Sequence, residues 1–329
     1  MKKNKYLDPV NYKLQDDDLS PKENFNDFLE KLTDVPDSIP FHNVSIDEAG
    51  ITNQQIIVNI KDVWNGDIIV PVICDLSMTI KLNTSRGIHM SRIEEALFET
   101  VKKTYDCLED FGIALSQNIK DGQECDYSVV KIKGTYFHSR KTRVSKKDTL
   151  DKLFLVVNII NTGTDIRVQK GIQAYNMTAC PCTKTYTKFS VVPELINLGL
   201  NKDQIQKIID LTHSGSHTKR GLVTILIDKT SEDITFKLLY KILDISCHLV
   251  YELLKRPDEH DFVVSVLRKP QFTEDVVRDV IYHALDELRN IPDSTRVSVE
   301  SLLFDSIHIH DVYTKISKTF GEIKKEMKK

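Results

Sequence analysis

No stretch of the 329 residues approaches the roughly 18–20 consecutive apolar positions that a bilayer-spanning helix needs. Met1-Lys2-Lys3-Asn4-Lys5 leads into polar sequence and not into the apolar core of a signal peptide. An excess of charge of one sign is also missing. The 45 Lys and Arg residues face 48 Asp and Glu, a net charge of −3, which excludes a polybasic coat for nucleic acid. Six cysteines in so long a chain do not make a disulfide framework. These absences leave a soluble, cytoplasmic protein with no membrane and no nucleic-acid partner as the expectation. With 40% hydrophobic and 28% charged residues, the chain has enough apolar side chains for a sizeable core.

Residues 1–43 read as a polar arm carrying Asp16-Asp17-Asp18 and one short amphipathic helix near Phe25–Leu32. Two β-rich runs, Ile51–Val63 and Ile68–Leu82, flank the hairpin signal Asn65-Gly66-Asp67. Apolar residues at helical spacing predict one helix over Ser91–Phe111, and Tyr127–Phe137 and Leu153–Ile160 predict two more strands. The second half repeats the plan: strands at Ile166–Met177, Leu222–Asp228 and Arg296–Leu303, a helical insertion over Val192–Leu211, and helices over Phe236–Leu254 and Thr273–Asn290. The Lys-rich end from Lys315 reads as a solvated helix. The fold expected is α+β, a duplicated unit over 44–165 and 166–314 with each antiparallel sheet covered by helices on one face, followed by a tail over 315–329. No Pro/Gly/Ser linker divides the halves, so they should pack as one body.

Cys74, Cys107, Cys125 and Cys247 sit singly in apolar or amphipathic stretches and read as free thiols. Cys180 and Cys182 differ, being one residue apart in Met177-Thr178-Ala179-Cys180-Pro181-Cys182-Thr183. That spacing is too tight for a structural zinc knuckle and suits a single thiolate that ligates a metal or reacts. Three other stretches concentrate polar side chains. In Ser85-Arg86-Gly87-Ile88-His89-Met90-Ser91-Arg92, Ser91 is placed to cap a helix, and Arg86 and Arg92 to meet a phosphate. Ser216-His217-Thr218-Lys219-Arg220-Gly221 offers an imidazole beside two cations. Asp305-Ser306-Ile307-His308-Ile309-His310-Asp311 offers two histidines on one side of an extended segment. A soft thiolate with imidazoles selects Zn²⁺ or Fe²⁺ over Mg²⁺ or Ca²⁺, and an open coordination position is the catalytic pattern. Residues alone point to metal-assisted hydrolysis of a phosphorylated small molecule.

In this order the motifs resemble those of the type IB GTP cyclohydrolases, from about Val44 to Tyr313. The segments that carry the likeness are Arg86–Arg92, Thr178–Cys182, Ser216–Gly221, Leu253-Leu254-Lys255-Arg256-Pro257-Asp258-Glu259, Phe272–Arg278 and Ser306–His310. The Met-Thr-Ala-Cys-Pro-Cys form, the long Cys182–His217 spacing and Tyr251-Glu252-Leu253-Leu254 are more similar to the archaeal methanopterin-pathway (MptA-type) branch than to the bacterial folate branch.

The resemblance implies tandem tunnelling-fold units, a homotetramer with active sites at subunit interfaces, and GTP as substrate. It implies opening of the imidazole ring at C8 with loss of formate. In the archaeal branch the cofactor is Fe²⁺ (Zn²⁺ or Mn²⁺ being alternatives) and the product 7,8-dihydroneopterin 2′,3′-cyclic phosphate; in the bacterial branch it is the triphosphate. It also implies roles: Cys180 and His217 as metal ligands, His308 as the proton-handling histidine, and Asp305 as its orienting acid or a weak ligand. His310 is a further candidate ligand. Arg86, His89, Arg92, Lys219 and Arg220 are assigned to substrate. Two positions depart from the bacterial pattern. The acidic metal ligand of the helix before Lys255 falls on Leu249, leaving His248 or Glu252 to take its place, and the guanine-holding Glu is Val264 here, leaving Glu259 or Asp261. The competing expectations are a related purine or pterin enzyme, and a non-catalytic nucleotide- or pterin-binding protein that has lost part of the site.

Overall fold

The computed structural model describes residues 34–328 except 213, 253 and 254. The expected helix near Phe25–Leu32 lies outside the described residues. Alternation of buried and exposed positions along the strands sets the architecture. In β5 (Asp148–Asn161), Leu153, Leu155, Val157 and Ile159 turn to one face, and Ile172 and Ala174 of β6 (Ile166–Ala179) and Val223 and Ile225 of β7 (Thr218–Asp228) continue that face. Ten strands form one sheet. Its path is completed by β1 (Ile46–Lys61), β2 (Ile69–Leu82), the two-residue β3 (Thr104–Tyr105), β4 (Ser128–Lys141), β9 (Arg296–Phe304) and β10 (Val312–Thr319). The order is β10-β9-β7-β6-β5-β4-β2-β1-β3, with β8 (His248–Leu249) pairing β6 off the path. Every pairing is antiparallel except β1 with β3.

Helices lie on the apolar face. In the first half they are α1 (Met90–Val101) and α2 (Leu108–Gln123); in the second, α6 (Phe236–Ser246) and α8 (Thr273–Glu287), while α7 (Arg256–Arg268) packs in a separate small cluster with Ala179 and Tyr251. A three-helix excursion, α3 (Pro181–Ser190), α4 (Val192–Asn197) and α5 (Lys202–Leu211), leaves the sheet between β6 and β7. The α+β class is the one expected, the first half runs ββααββ where a ββαββ order was expected, and one core cluster runs through both halves.

Several expected elements differ. The single helix over Ser91–Phe111 is two helices, because Thr104 and Tyr105 pair with β1 and turn the chain between them. Ser91 does not cap α1. His89 occupies that position, and the Gln123 side chain satisfies its backbone, accepting from its N–H at 3.1 Å and donating to its C=O at 2.8 Å. The helix expected over Phe236–Leu254 stops at Ser246, since Cys247 is extended and His248–Leu249 joins β6. The Lys-rich end is not a solvated helix. Residues 312–319 extend the sheet against β9, and α9 (Phe320–Met327) buries Phe320 and Ile323. No described helix is long and apolar enough to cross a membrane.

The halves are also joined by charge. Glu109 of α2 pairs with Lys170 of β6, both buried, and the Lys170 ammonium lies 4.6 Å from the centre of the Phe236 ring on α6. Removing one member of such a pair strands the other in low dielectric. Lys170→Met is expected to destabilise folding by about 3–5 kcal/mol, and Lys170→Met with Glu109→Leu to recover most of that loss. Chemical denaturation of the single and double variants checks it, and a double variant no more stable than the single would contradict the argument.

Candidate active site

Three strand ends meet at one rim of the sheet. The β6–β7 ladder runs to Ala179 opposite Thr218, so the next residues, Cys180 and His217, leave the sheet side by side. The Cys180 N–H donates to the His217 carbonyl at 3.1 Å, and the Ser216 hydroxyl donates to the Cys180 carbonyl at 2.8 Å. Pro181 then starts α3, with Cys180 in the N-cap position. Burial pushes the Cys180 thiol up. The Thr183 N–H and hydroxyl, the Cys182 N–H and the Lys219 ammonium outweigh that and hold it below the ordinary thiol range.

Strand β9 delivers the third part. Asp305 follows its last residue, and its fully buried carboxylate pairs with Lys219. Its Oδ1 accepts from the N–H groups of Ile307 at 2.9 Å and His308 at 3.3 Å, which shapes the turn carrying both histidines. The Lys219 ammonium, followed by the Ile307 N–H, holds this carboxyl well below the usual carboxylate range. His217 Nδ1 lies 3.2 Å from Ser306 Oγ, a second tie between β7 and the turn. His308 and His310 are exposed and stack with ring centres 5.1 Å apart.

This geometry revises some expected roles. Lys219 is not a free cation for phosphate, because Asp305 occupies it. Asp305 fixes the backbone of the turn and makes no described bond to the His308 ring. Arg220 alternates to the other face of the sheet, with its guanidinium 5.6 Å from the Tyr175 ring centre. Both ring nitrogens of His248 are engaged, Nε2 with the Lys269 carbonyl at 3.2 Å and Nδ1 with the Ser265 hydroxyl at 3.4 Å. Burial lowers the His248 pKa, and with both ring nitrogens already placed against protein partners it is a poor candidate for a ligand. Glu252 is exposed, and its carboxylate has no described partner. Tyr251, the residue before it, belongs with Phe262 and Val266 of α7 to a small buried cluster that includes Ala179, the residue before Cys180. Glu259 is exposed in the first turn of α7.

Arg86, His89 and Arg92 lie at the opposite rim, where β2 ends. His89 is buried between Asp37 at 2.8 Å and Asp34 at 3.3 Å, Arg92 donates to the Gly122 carbonyl, and Arg86 lies over Phe41. In this chain the segment docks residues 34–41: the Gly87 and Arg86 N–H groups donate to the Pro36 and Ser38 carbonyls. Sequence reasoning missed Ser306 and also Asp258, whose only signal was its place in the Lys-Arg-Pro-Asp-Glu block.

A metal's fit to these residues is partial. A lowered thiol beside an imidazole is the donor pair a borderline divalent cation prefers. Among the described residues, however, no three His, Cys, Asp or Glu side chains group closely enough to hold an ion.

Residues 32–314 match the family described as type I GTP cyclohydrolase folE2. The chain is 28% identical over 312 residues to the GTP cyclohydrolase MptA of Methanococcus maripaludis, an alignment covering 91% of this chain and 98% of that protein. It is likewise 28% identical to that of Methanosphaera stadtmanae, covering 91% and 99%. Among solved structures, a uricase from Arthrobacter globiformis overlays with a TM-score of 0.44 at 8% identity, covering 83% of this chain and 93% of that one. That likeness is too distant to bear on function.

Because the Lys219 ammonium favours the thiolate, Lys219→Met should raise the Cys180 pKa. In a Cys182→Ser background stripped of metal, the pH profile of Cys180 alkylation should move to higher pH. An unmoved profile would show that the ammonium does not act on the sulfur.

Proposed function

The chain belongs to the type I GTP cyclohydrolase folE2 family, and on that premise we propose that it opens the imidazole ring of GTP at C8 and releases formate. We propose 7,8-dihydroneopterin 2′,3′-cyclic phosphate as its product, for methanopterin-type pterin synthesis in the cytoplasm. The observation that carries the reading is the convergence of Cys180, His217 and the Asp305–His308 turn on one rim. A nucleotide-binding scaffold needs neither a lowered thiol nor an anchored histidine turn. The similarity to proteins named GTP cyclohydrolase MptA supports the branch.

In this reading Cys180 and His217 are the donors this chain gives to a divalent cation, Fe²⁺ before Zn²⁺ or Mn²⁺. Bound there, such a cation would polarise a water for attack on C8 and stabilise the developing charge. His308, exposed on its turn, exchanges protons with the attacked C8–N unit. Asp305 keeps that ring in place through the backbone, and Lys219 keeps Asp305 ionised. Ring opening consumes one water and hydrolysis of the resulting formamide a second, freeing formate. Condensation of the rearranged ribose carbons onto the freed amines closes the pterin ring and returns one water, and formation of the cyclic phosphate releases pyrophosphate. Guanine recognition is assigned to Glu259 or Asp261.

The Arg86 rim bears on assembly. Strand β6 spans 14 residues, and at roughly 3.3 Å per residue the two rims are some 40 Å apart. Arg86 and Arg92 can therefore meet the phosphates of a GTP at the Cys180 rim only from another copy of the chain. That supports a homo-oligomer, a tetramer in our reading, with sites shared between subunits.

Protein reconstituted anaerobically with Fe²⁺ is expected to release formate from GTP and to give the cyclic phosphate by mass spectrometry. A triphosphate product would move it to the bacterial-type activity, and no formate with Fe²⁺, Mn²⁺ or Zn²⁺ would overturn the proposal. Cys180→Ala and Arg86→Ala are each expected to impair turnover, and co-refolding the two to restore it. Restoration failing while each variant folds would remove the shared site.

A further inference from the structure

The segment from Tyr251 to Asp258 belongs to the second unit, yet its described ends are tied to the β4–β5 hairpin of the first. Three ties are present. The Arg140 guanidinium lies 4.5 Å from the Tyr251 ring centre, itself held by Asp151, Asp244 and the Tyr240 hydroxyl. At Glu252, the N–H donates to the Leu150 carbonyl at 3.2 Å and the carbonyl accepts from the Thr149 hydroxyl. At Asp258, 1% exposed, Oδ1 accepts from the Val144 N–H at 2.9 Å and the Ser145 N–H at 3.0 Å, and Oδ2 from the Ser145 hydroxyl at 2.5 Å.

A carboxylate this enclosed, with its lone pairs spent on a hairpin more than 100 residues earlier in the chain, is more than helix N-terminal chemistry requires. Its neighbour Glu259 occupies the same helical turn and is exposed. Tyr251 meets Phe262 of α7, ring centres 6.1 Å apart, and both belong to the small buried cluster that includes Ala179, the residue before Cys180. Burial opposes ionisation of Asp258, but the Ser145 hydroxyl and the Ser145 and Val144 N–H groups prevail and hold it at about 2, so the tie persists at neutral pH.

We propose that Asp258 is a positioning residue: by latching onto the β4–β5 hairpin it fixes Glu252 and the Lys255-Arg256 pair beside the Cys180 rim, so that the first unit supports the second unit's chemistry. The proposal rests on the cyclohydrolase reading for its kinetic consequence and on the hydrogen bonds above for its geometry.

The test uses the full-length, Fe²⁺-loaded protein. Asp258→Asn is expected to lower kcat for formate release on the order of 10²-fold, the cost of an ångström-scale misplacement near the chemistry. It should also speed amide hydrogen exchange at 250–252 and 255–257 while leaving α8 unchanged. Lys141→Gln, which breaks an exposed ion pair with Asp148 on the same hairpin, should leave both readouts at the wild-type level. Should Asp258→Asn fail to fold, Ser145→Ala removes the hairpin's hydroxyl and is expected to speed the same exchange. Wild-type kcat in Asp258→Asn, or a kcat loss with unchanged exchange at 250–252 and 255–257, overturns the latch. Because exchange is followed without GTP, it decides the latch even if the wild-type protein released no formate, a result that would instead overturn the cyclohydrolase reading.

Discussion

Everything at the candidate site depends on the register of three antiparallel strands. With Ala179 opposite Thr218 and Gly221 opposite Leu303, the ladder β6–β7–β9 brings Cys180, His217 and Asp305 to one edge. A slip of one residue would turn Lys219 to the far face and part it from Asp305. Gly221 enforces the close approach. A Cβ there would sit 2.4 Å from the Leu302 carbonyl oxygen, so any larger residue would push β7 and β9 apart immediately below the site.

The two repeats share a plan and not a burden. In the first, β1 and β2 are joined at this rim by the short turn over residues 62–68, with Trp64 stacked against Tyr136 and His138. At the equivalent place in the second stand Cys180, the helices α3–α5 and His217. The thiol and the imidazoles of the candidate site thus stand in one copy of the fold, while the other offers the Arg140 guanidinium, the hairpin around Ser145, and the Glu109 that pairs with Lys170.

Much of this was legible in the sequence. The duplicated α+β plan and most strands followed from β-branched alternation, because each strand has one face under helices. Helix ends were less legible. Apolar residues at Cys247, Leu249 and Tyr251 suit a continued helix as well as they suit β8, and only the pairing with Asn176 and Met177 decides between them. The C-terminal strand was hidden by its polarity: Lys315 and Lys318 stand on opposite faces of an edge strand, so no clean alternation marks it. Site residues were legible by type, since thiol, imidazole and acid stand out. Their partners were not, because Lys219 meets Asp305, and Asp258 meets Ser145, across separations that no local spacing encodes.

The backbone bond from Cys180 to His217 has one more consequence. Cys180 and His217 leave neighbouring ends of a single ladder, so the separation of their backbones is set by the sheet and needs no ion to hold it. In small metal-folded domains the ligands scatter when the ion departs, and each capture must meet the cost of ordering the chain. Here the backbone that carries both side chains is ordered by the sheet itself, so whatever binds at this rim meets no cost of ordering that ladder.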